Sequence, residues 1–312
     1  MLLRLCTVLG EQGKPVPLEL EEQTLRALLI EDPERKDLQE RLESVQAGLG
    51  KSNSRQRVTG ADGTMASQTD VDFQKDATSY ERQADYRDLD EAFTPLRQLA
   101  SRFTMTSVER MYALYKAVEY IEAARVPGSI VECGVWRGGS VMLALATLVR
   151  MGCTNRDIYL FDTFEGLPRP DTARDVDIFG NRAIDGWLLH ARGQEESNWA
   201  YASIEDVLAN VSSVGYPSDR IHLIKGMVEN TLPGSAPEQI ALLRLDTDWY
   251  SSTKHEMVHL YPRLAAGGVL IIDDYGHFLG ARQAIDEYVA EHRLSLLLNR
   301  IDYAGRLAVK LR

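Results

Sequence analysis

The chain is poor in cysteine and poor in net positive charge, and it has no long apolar run. Only Cys6, Cys133 and Cys153 occur in 312 residues, far apart and without metal-ligand spacing, which excludes a disulfide framework and a zinc site built on thiolates. A reducing cytoplasm is the expected compartment. Lys and Arg total 35 against 46 Asp and Glu, a formal net charge of −11, so a broad grip on a phosphate backbone is not expected and neither is a nucleic-acid partner. The opening MLLRLCTVLG is interrupted by Arg4 and followed by Glu11. It is too short and too poorly flanked for a membrane span or a signal peptide, and no other stretch reaches that length.

What is present is the composition of a folded enzyme. Hydrophobic residues make up 44% and charged residues 26%, and the length suits one large or two modest domains. Residues 1–50 carry helical signals, with Leu38, Leu42, Val45 and Leu49 on one side of a charged segment, and read as a helical N-terminal extension. Residues 51–90 are polar with few apolar anchors and read as a linker. From residue 91 onward the pattern changes. A helical stripe of Met111, Leu114, Tyr115, Val118 and Ile121 precedes Pro127-Gly128. Short apolar runs then follow at 129–133, 158–161, 221–224, 240–245, 269–272, 294–298 and 306–310, most of them separated by helix-length segments. That rhythm predicts an α/β, doubly wound, Rossmann-like sheet of seven strands. The last two, joined through Tyr303-Ala304-Gly305, are too close for a parallel crossover and should close it as an antiparallel hairpin.

Three places carry chemistry. In Val131-Glu132-Cys133-Gly134-Val135-Trp136-Arg137-Gly138-Gly139-Ser140 a strand runs through glycines into a helix, a turn that lets backbone amides approach a ligand. Asp162 ends the second strand, 30 residues after Glu132, where an acid commonly binds ribose hydroxyls; the other reading is a loop cap before Thr163. An adenosine-containing ligand fits the pair, with Met227 in the turn after the third strand as part of the adenine pocket. The third place is acidic. Asp246 and Asp248 follow one strand, Asp273 and Asp274 the next. If those strands are neighbours, about 4.8 Å apart, their carboxylates crowd together and need protons, basic partners or a hard divalent cation, Mg²⁺ first. The other reading makes them caps of the following helices.

The motifs resemble those of the TylF/macrocin-type O-methyltransferases, which methylate deoxysugar hydroxyls of antibiotics with S-adenosylmethionine and Mg²⁺. The resemblance rests on Thr104-Met105-Thr106-Ser107 with Glu109-Arg110, the glycine turn, Phe161-Asp162-Thr163-Phe164-Glu165-Gly166-Leu167-Pro168, Lys225-Gly226 with Thr231-Leu232-Pro233, Leu245-Asp246-Thr247-Asp248-Trp249-Tyr250-Ser251-Ser252-Thr253 and Ile272-Asp273-Asp274-Tyr275-Gly276. These span about Phe93 to the C-terminus. The resemblance implies a methyltransferase domain over residues 91–312, with Glu132, Gly134, Ser140 and Asp162 around S-adenosylmethionine. It also implies that Asp246, Asp273 and Asp274 hold Mg²⁺ and that Asp248 is the general base. The acceptor would be a small-molecule glycoside, in a homo-oligomer. Residues 168–202, with Trp187, His190, Trp199 and Tyr201, read as an acceptor lid or as an ordinary excursion with its own small core. His277 could meet the acceptor; His255 and His259 read as a helix face. Rival readings are a catechol or phenol methyltransferase, a nicotinamide oxidoreductase and a non-catalytic scaffold subunit.

Overall fold

A computed structural model of the chain describes residues 86 and 88–311 except 195, together with the helical positions Lys36, Gln39, Arg41, Ser44 and Val45. The rest of the N-terminal extension and most of the polar linker lie outside the described residues. Two compact units divide at Asp85 and Tyr86, and the second carries everything below. Among the described residues no helix is long and apolar enough to cross a membrane. Cys133 and Cys153 are free thiols.

The second unit begins with α1 (Phe93–Ala100) and α2 (Val108–Ala123), where Ser107 caps the first turn by accepting from the Arg110 amide. The expected stripe of α2 is buried, with Ala117 added to it. Alternating strands and helices follow as β1 (Ser129–Cys133), α3 (Gly139–Met151), β2 (Ile158–Asp162), α4 (Ala183–His190), α5 (Ile204–Ser212), β3 (Ile221–Lys225) and α6 (Val228–Thr231). The chain continues through β4 (Ile240–Leu245), α7 (Tyr250–His259), β5 (Leu264–Ile272), α8 (Leu279–Glu291), β6 (Asn299–Arg300) and β7 (Arg306–Val309). The sheet order is β3-β2-β1-β4-β5-β7-β6. The first five strands are parallel, and β7 and β6 are antiparallel additions. All five residues of β1 and all six of β4 are buried, the mark of a sheet covered on both faces.

Strand order reverses between β1 and β4, so the crevice at their carboxyl ends is where an open α/β sheet binds its ligand. Register completes the placement. Cys133 pairs with Leu245 and Leu245 with Ile272, so Gly134, Asp246 and Asp273 leave three adjacent strands at one level. Backbone bonds carry the alignment one residue further, from the Asp246 amide to the Cys133 carbonyl (2.8 Å) and from the Asp273 amide to the Leu245 carbonyl (2.9 Å).

The sixth strand departs from expectation. Residues 294–298 join no strand ladder; Leu294, Leu296 and Leu298 pack on the core while Leu297 is 84% exposed. Ladder pairing starts only at Asn299 opposite Leu307. The apolar run that suggested a strand is spent on packing against the core, without ladder pairing to a neighbouring backbone.

Candidate active site

A cleft of about 390 Å³ opens over the carboxyl ends of β1, β2, β4 and β5. Its walls include Glu132, Gly134, Ser140, Asp162 and Met227 on one side and Asp246, Asp248, Asp273 and Asp274 on the other, so the sequence-derived residues all meet in one place.

The glycine turn is also demanded by packing. A Cβ on Gly134 would overlap the carbonyl oxygen of Asp246, and one on Gly139 would overlap the Phe103 backbone. Both positions are therefore fixed as glycine by chain packing on chain, and Gly134 lines the cleft as well. Asp162 fastens the turn: Oδ2 accepts from the amides of Val135 (2.7 Å) and Trp136 (3.1 Å), and Oδ1 from Phe164 (2.7 Å). It is the loop cap of the more modest reading and still lines the cleft, where carboxylate oxygens keep lone pairs for a hydroxyl. Burial raises its pKa against those three amides. Ser140 Oγ lies 3.4 Å from Thr104 Oγ1, which ties α3 to the segment before α2.

The acids are organised by two arginines whose role the sequence did not disclose. Arg244, 2% exposed and next to the last residue of β4, reaches Glu132 Oε1 (2.8 Å), Asp246 Oδ2 (2.8 Å) and Asp273 Oδ1 (2.6 Å). Arg110, one turn into α2, pairs with Asp273 Oδ2 and with Asp302 Oδ2 (3.0 Å), and Asp302 also accepts from Ser107 Oγ (2.7 Å). Asp273 is thus clamped from both sides. Burial lifts Glu132 to about 8 despite Arg244, and Asp246 to about 7. Asp246, whose side chain is 27% exposed, is the arginine-bound acid that opens to the cleft.

No arginine or lysine among the described residues forms an ion pair with Asp248 or Asp274. Asp248 sits at φ +65°, in the left-handed region that aspartate tolerates better than most residues, and donates its amide to Asp274 Oδ2 (3.3 Å). Burial, and after it the neighbouring acids, pushes both carboxyls well above the usual range. A contact between two such carboxyls needs a proton or a cation. Asp246, Asp273 and Asp274 each offer an oxygen, and the three oxygens lie within 4.8 Å of one another. Six carboxyls, counting Glu132, Asp248 and Asp302, stand against two guanidiniums, so an all-oxygen donor set with surplus negative charge fits a hard divalent ion.

Thr247, between the first two acids, donates to Glu256 Oε1 (2.9 Å) from the buried face of α7. Asp175, fully buried in the excursion after β2, accepts from the Tyr250 amide at the start of α7 (2.8 Å). The same excursion holds Trp249 by its indole, which donates to Pro168 O (2.9 Å). Of the four ring residues singled out in it, Trp187, His190, Trp199 and Tyr201, Trp199 alone lines the cleft, edge-on to Trp249 at 5.9 Å. Trp187 is buried with its indole on Leu167 O, and His190 and Tyr201 are exposed away from the cleft. An internal core claims Trp187, which composition alone does not distinguish from a ligand-facing ring. His277 lines the cleft; the rings of His255 and His259 meet at 4.3 Å, tilted by 58°, without a third ligand among the described residues.

A doubly wound sheet with this cleft at its switch point has the form of a protein that binds a nucleotide-like cofactor there. Comparison with known proteins makes the class specific: residues 40–309 match the family described as macrocin-O-methyltransferase (TylF), and the chain belongs to that family. The match begins well upstream of the motifs that carry the resemblance. The chain is 35% identical over 202 residues to the 8-demethyl-8-(2,3-dimethoxy-alpha-L-rhamnosyl)-tetracenomycin-C 4'-O-methyltransferase of Streptomyces olivaceus, covering 65% of this chain and 73% of that one. It is 33% identical to the mycinamicin III 3''-O-methyltransferase of Micromonospora griseorubida, over 65% and 76%. The structure of the O-methyltransferase NovP superposes with a TM-score of 0.58 at 28% identity, covering 67% of this chain and 83% of that one. The protein is an S-adenosylmethionine-dependent O-methyltransferase.

Proposed function

We propose that the enzyme methylates a sugar hydroxyl of a glycosylated natural product, with Mg²⁺ held by Asp246, Asp273 and Asp274 and with Asp248 as general base. The observation that carries this reading is the trio of carboxylate oxygens within 4.8 Å in the same cleft as the glycine turn. The relatives support the acceptor class, since one acts on a rhamnosyl-bearing tetracenomycin and another on mycinamicin III.

The chain's own residues divide the work along the cleft. Glu132, Gly134, Ser140, Asp162 and Met227 hold the donor, whose sulfonium supplies an electrophilic methyl group. A divalent ion at the acid trio would lower the pKa of a coordinated hydroxyl. Asp248, beside the trio and raised by burial, accepts the hydroxyl proton as the C–O bond forms and the S–C bond breaks. Arg244 and Arg110 fix Asp273 so that the acids keep their spacing through the reaction. The sulfonium charge vanishes in that step, so a water-poor pocket would favour it.

Mass-spectrometric screening of methyl transfer to deoxysugar glycosides and to catechols, with and without Mg²⁺ after chelation, tests the proposal. Metal-dependent methylation of a glycoside is expected, with Asp248→Asn losing turnover but keeping donor affinity. Preference for catechols, or full activity in metal-free buffer, would sink it.

A further inference from the structure

Asp248 keeps its left-handed backbone, φ +65°, at the heart of the acid loop. A residue other than glycine stays there only where its surroundings over-determine it. Its own amide supplies one long bond, 3.3 Å to Asp274 Oδ2, so the hold comes from the residues on either side. Both of their side chains are anchored. Trp249 donates its indole N–H to Pro168 O (2.9 Å), and Thr247 donates its hydroxyl to Glu256 Oε1 (2.9 Å). The Thr247 carbonyl is fixed as well, accepting from the Trp249 amide (2.7 Å) and from Ser252 Oγ (3.2 Å).

Glu256 is the unexpected member of this set. It is 0% exposed on the inner side of α7, next to the core residue Met257, and it is not among the residues that line the cleft. A carboxyl in such a place costs folding free energy that an apolar side chain would not, and burial drives its pKa well above the usual range. What it gives in return is an acceptor oxygen, carried on a packed helix, for the one hydroxyl that stands between Asp246 and Asp248.

We propose that Glu256 is a positioning residue for methyl transfer: from α7 it holds Thr247, and the held Thr247 keeps Asp248 in its left-handed conformation beside Asp246, Asp273 and Asp274. This rests on Asp248 as the general base and deepens that reading by naming what aims its carboxyl. Glu256 acts through Thr247 and exchanges no proton with the acceptor.

Two measurements on the full chain test the clamp. Thr247→Val keeps a side chain of similar shape and removes the hydroxyl; its crystal structure should show Asp248 out of the left-handed region and its carboxyl displaced. An unmoved Asp248 at positive φ would overturn the proposal without reference to any acceptor. With a deoxysugar glycoside that the wild type methylates, Thr247→Val and Glu256→Leu should each lower kcat about tenfold or more, leaving acceptor KM and donor Kd within about twofold of wild type. The double variant should be no slower than either single one, because both cut the same link. Glu256→Gln, which retains an acceptor oxygen within reach of the hydroxyl, should keep most of the turnover. Wild-type kcat in Thr247→Val, losses that multiply in the double variant, or a Gln variant as slow as the Leu variant would each overturn the proposal. Should Glu256→Leu not fold, the structure and kcat of Thr247→Val decide it. Failure of the base reading is separate, showing as unchanged turnover in Asp248→Asn while the crystal structure still reports on the clamp.

Discussion

Replacing Arg244 by Met removes the charge on which three acids depend, and the cost can be worked from their burial. Glu132 and Asp273 side chains are each 4% exposed and Asp246 27%. Asp246 can turn to water, and Asp273 keeps Arg110 on its other oxygen. Glu132 alone is left buried with no partner. Stranding one member of a buried ion pair costs about 3–5 kcal/mol, a large share of the roughly 5–15 kcal/mol that holds a domain together. For a domain of this size each kcal/mol moves Tm by roughly 2–4 °C. Differential scanning fluorimetry should therefore show Arg244→Met melting about 6–20 °C below wild type. The pH dependence has a definite sign. Glu132 has a folded pKa raised to about 8 from an ordinary value of about 4.3, so the stability it contributes is present in acid and lost as pH rises through that window. Without Arg244 the folded value rises further; below about pH 8 Glu132 is protonated in both folded proteins, so the gap to wild type should hold level up to that pH and widen above it. Adding Glu132→Gln should remove that widening, because a neutral amide does not titrate. A single-variant Tm within about 2 °C of wild type, or a gap that still widens above pH 8 in the double variant, would show that Glu132 does not depend on Arg244.

Asp162→Ala removes three backbone-amide bonds that close the turn around the donor, and hydrogen bonds to a charged group are worth about 1.5–3 kcal/mol each. Calorimetry should show a donor Kd weakened by about tenfold to a hundredfold, with Mn²⁺ affinity unchanged; an unaltered Kd would remove Asp162 from the cofactor site. Gly134→Ala forces a methyl group into the Asp246 carbonyl, so the variant should lose both soluble yield and metal binding. A well-folded, active Gly134→Ala protein would show that β1 and β4 can move apart at the cleft.

Much of this was legible in the chain because continuous apolar runs ending in acids have few readings. The runs at 240–245 and 269–272 lead into Asp246 and Asp273, and the sheet brings the two acids side by side on adjacent strands. The counter-charges were hidden for a physical reason. Arg244 reads as a polar interruption of a strand, although a charge inside a run of buried residues must find partners, and that was the available signal. Arg110 sits in a motif but on another helix, and its partners Asp273 and Asp302 lie 163 and 192 positions away. Aromatic rings in an irregular segment carry no periodicity, so nothing in composition separates the buried Trp187 from the cleft-facing Trp199.

The proposed function depends on the acids at the ends of β4 and β5 forming a divalent-cation site beside the methyl donor. Crystals grown with S-adenosylhomocysteine and Mn²⁺, measured for anomalous scattering, test it directly. A single strong peak among Asp246, Asp273 and Asp274, bordering the bound nucleoside, is the predicted result. Full occupancy of the cofactor with no anomalous density at those three carboxylates would contradict it.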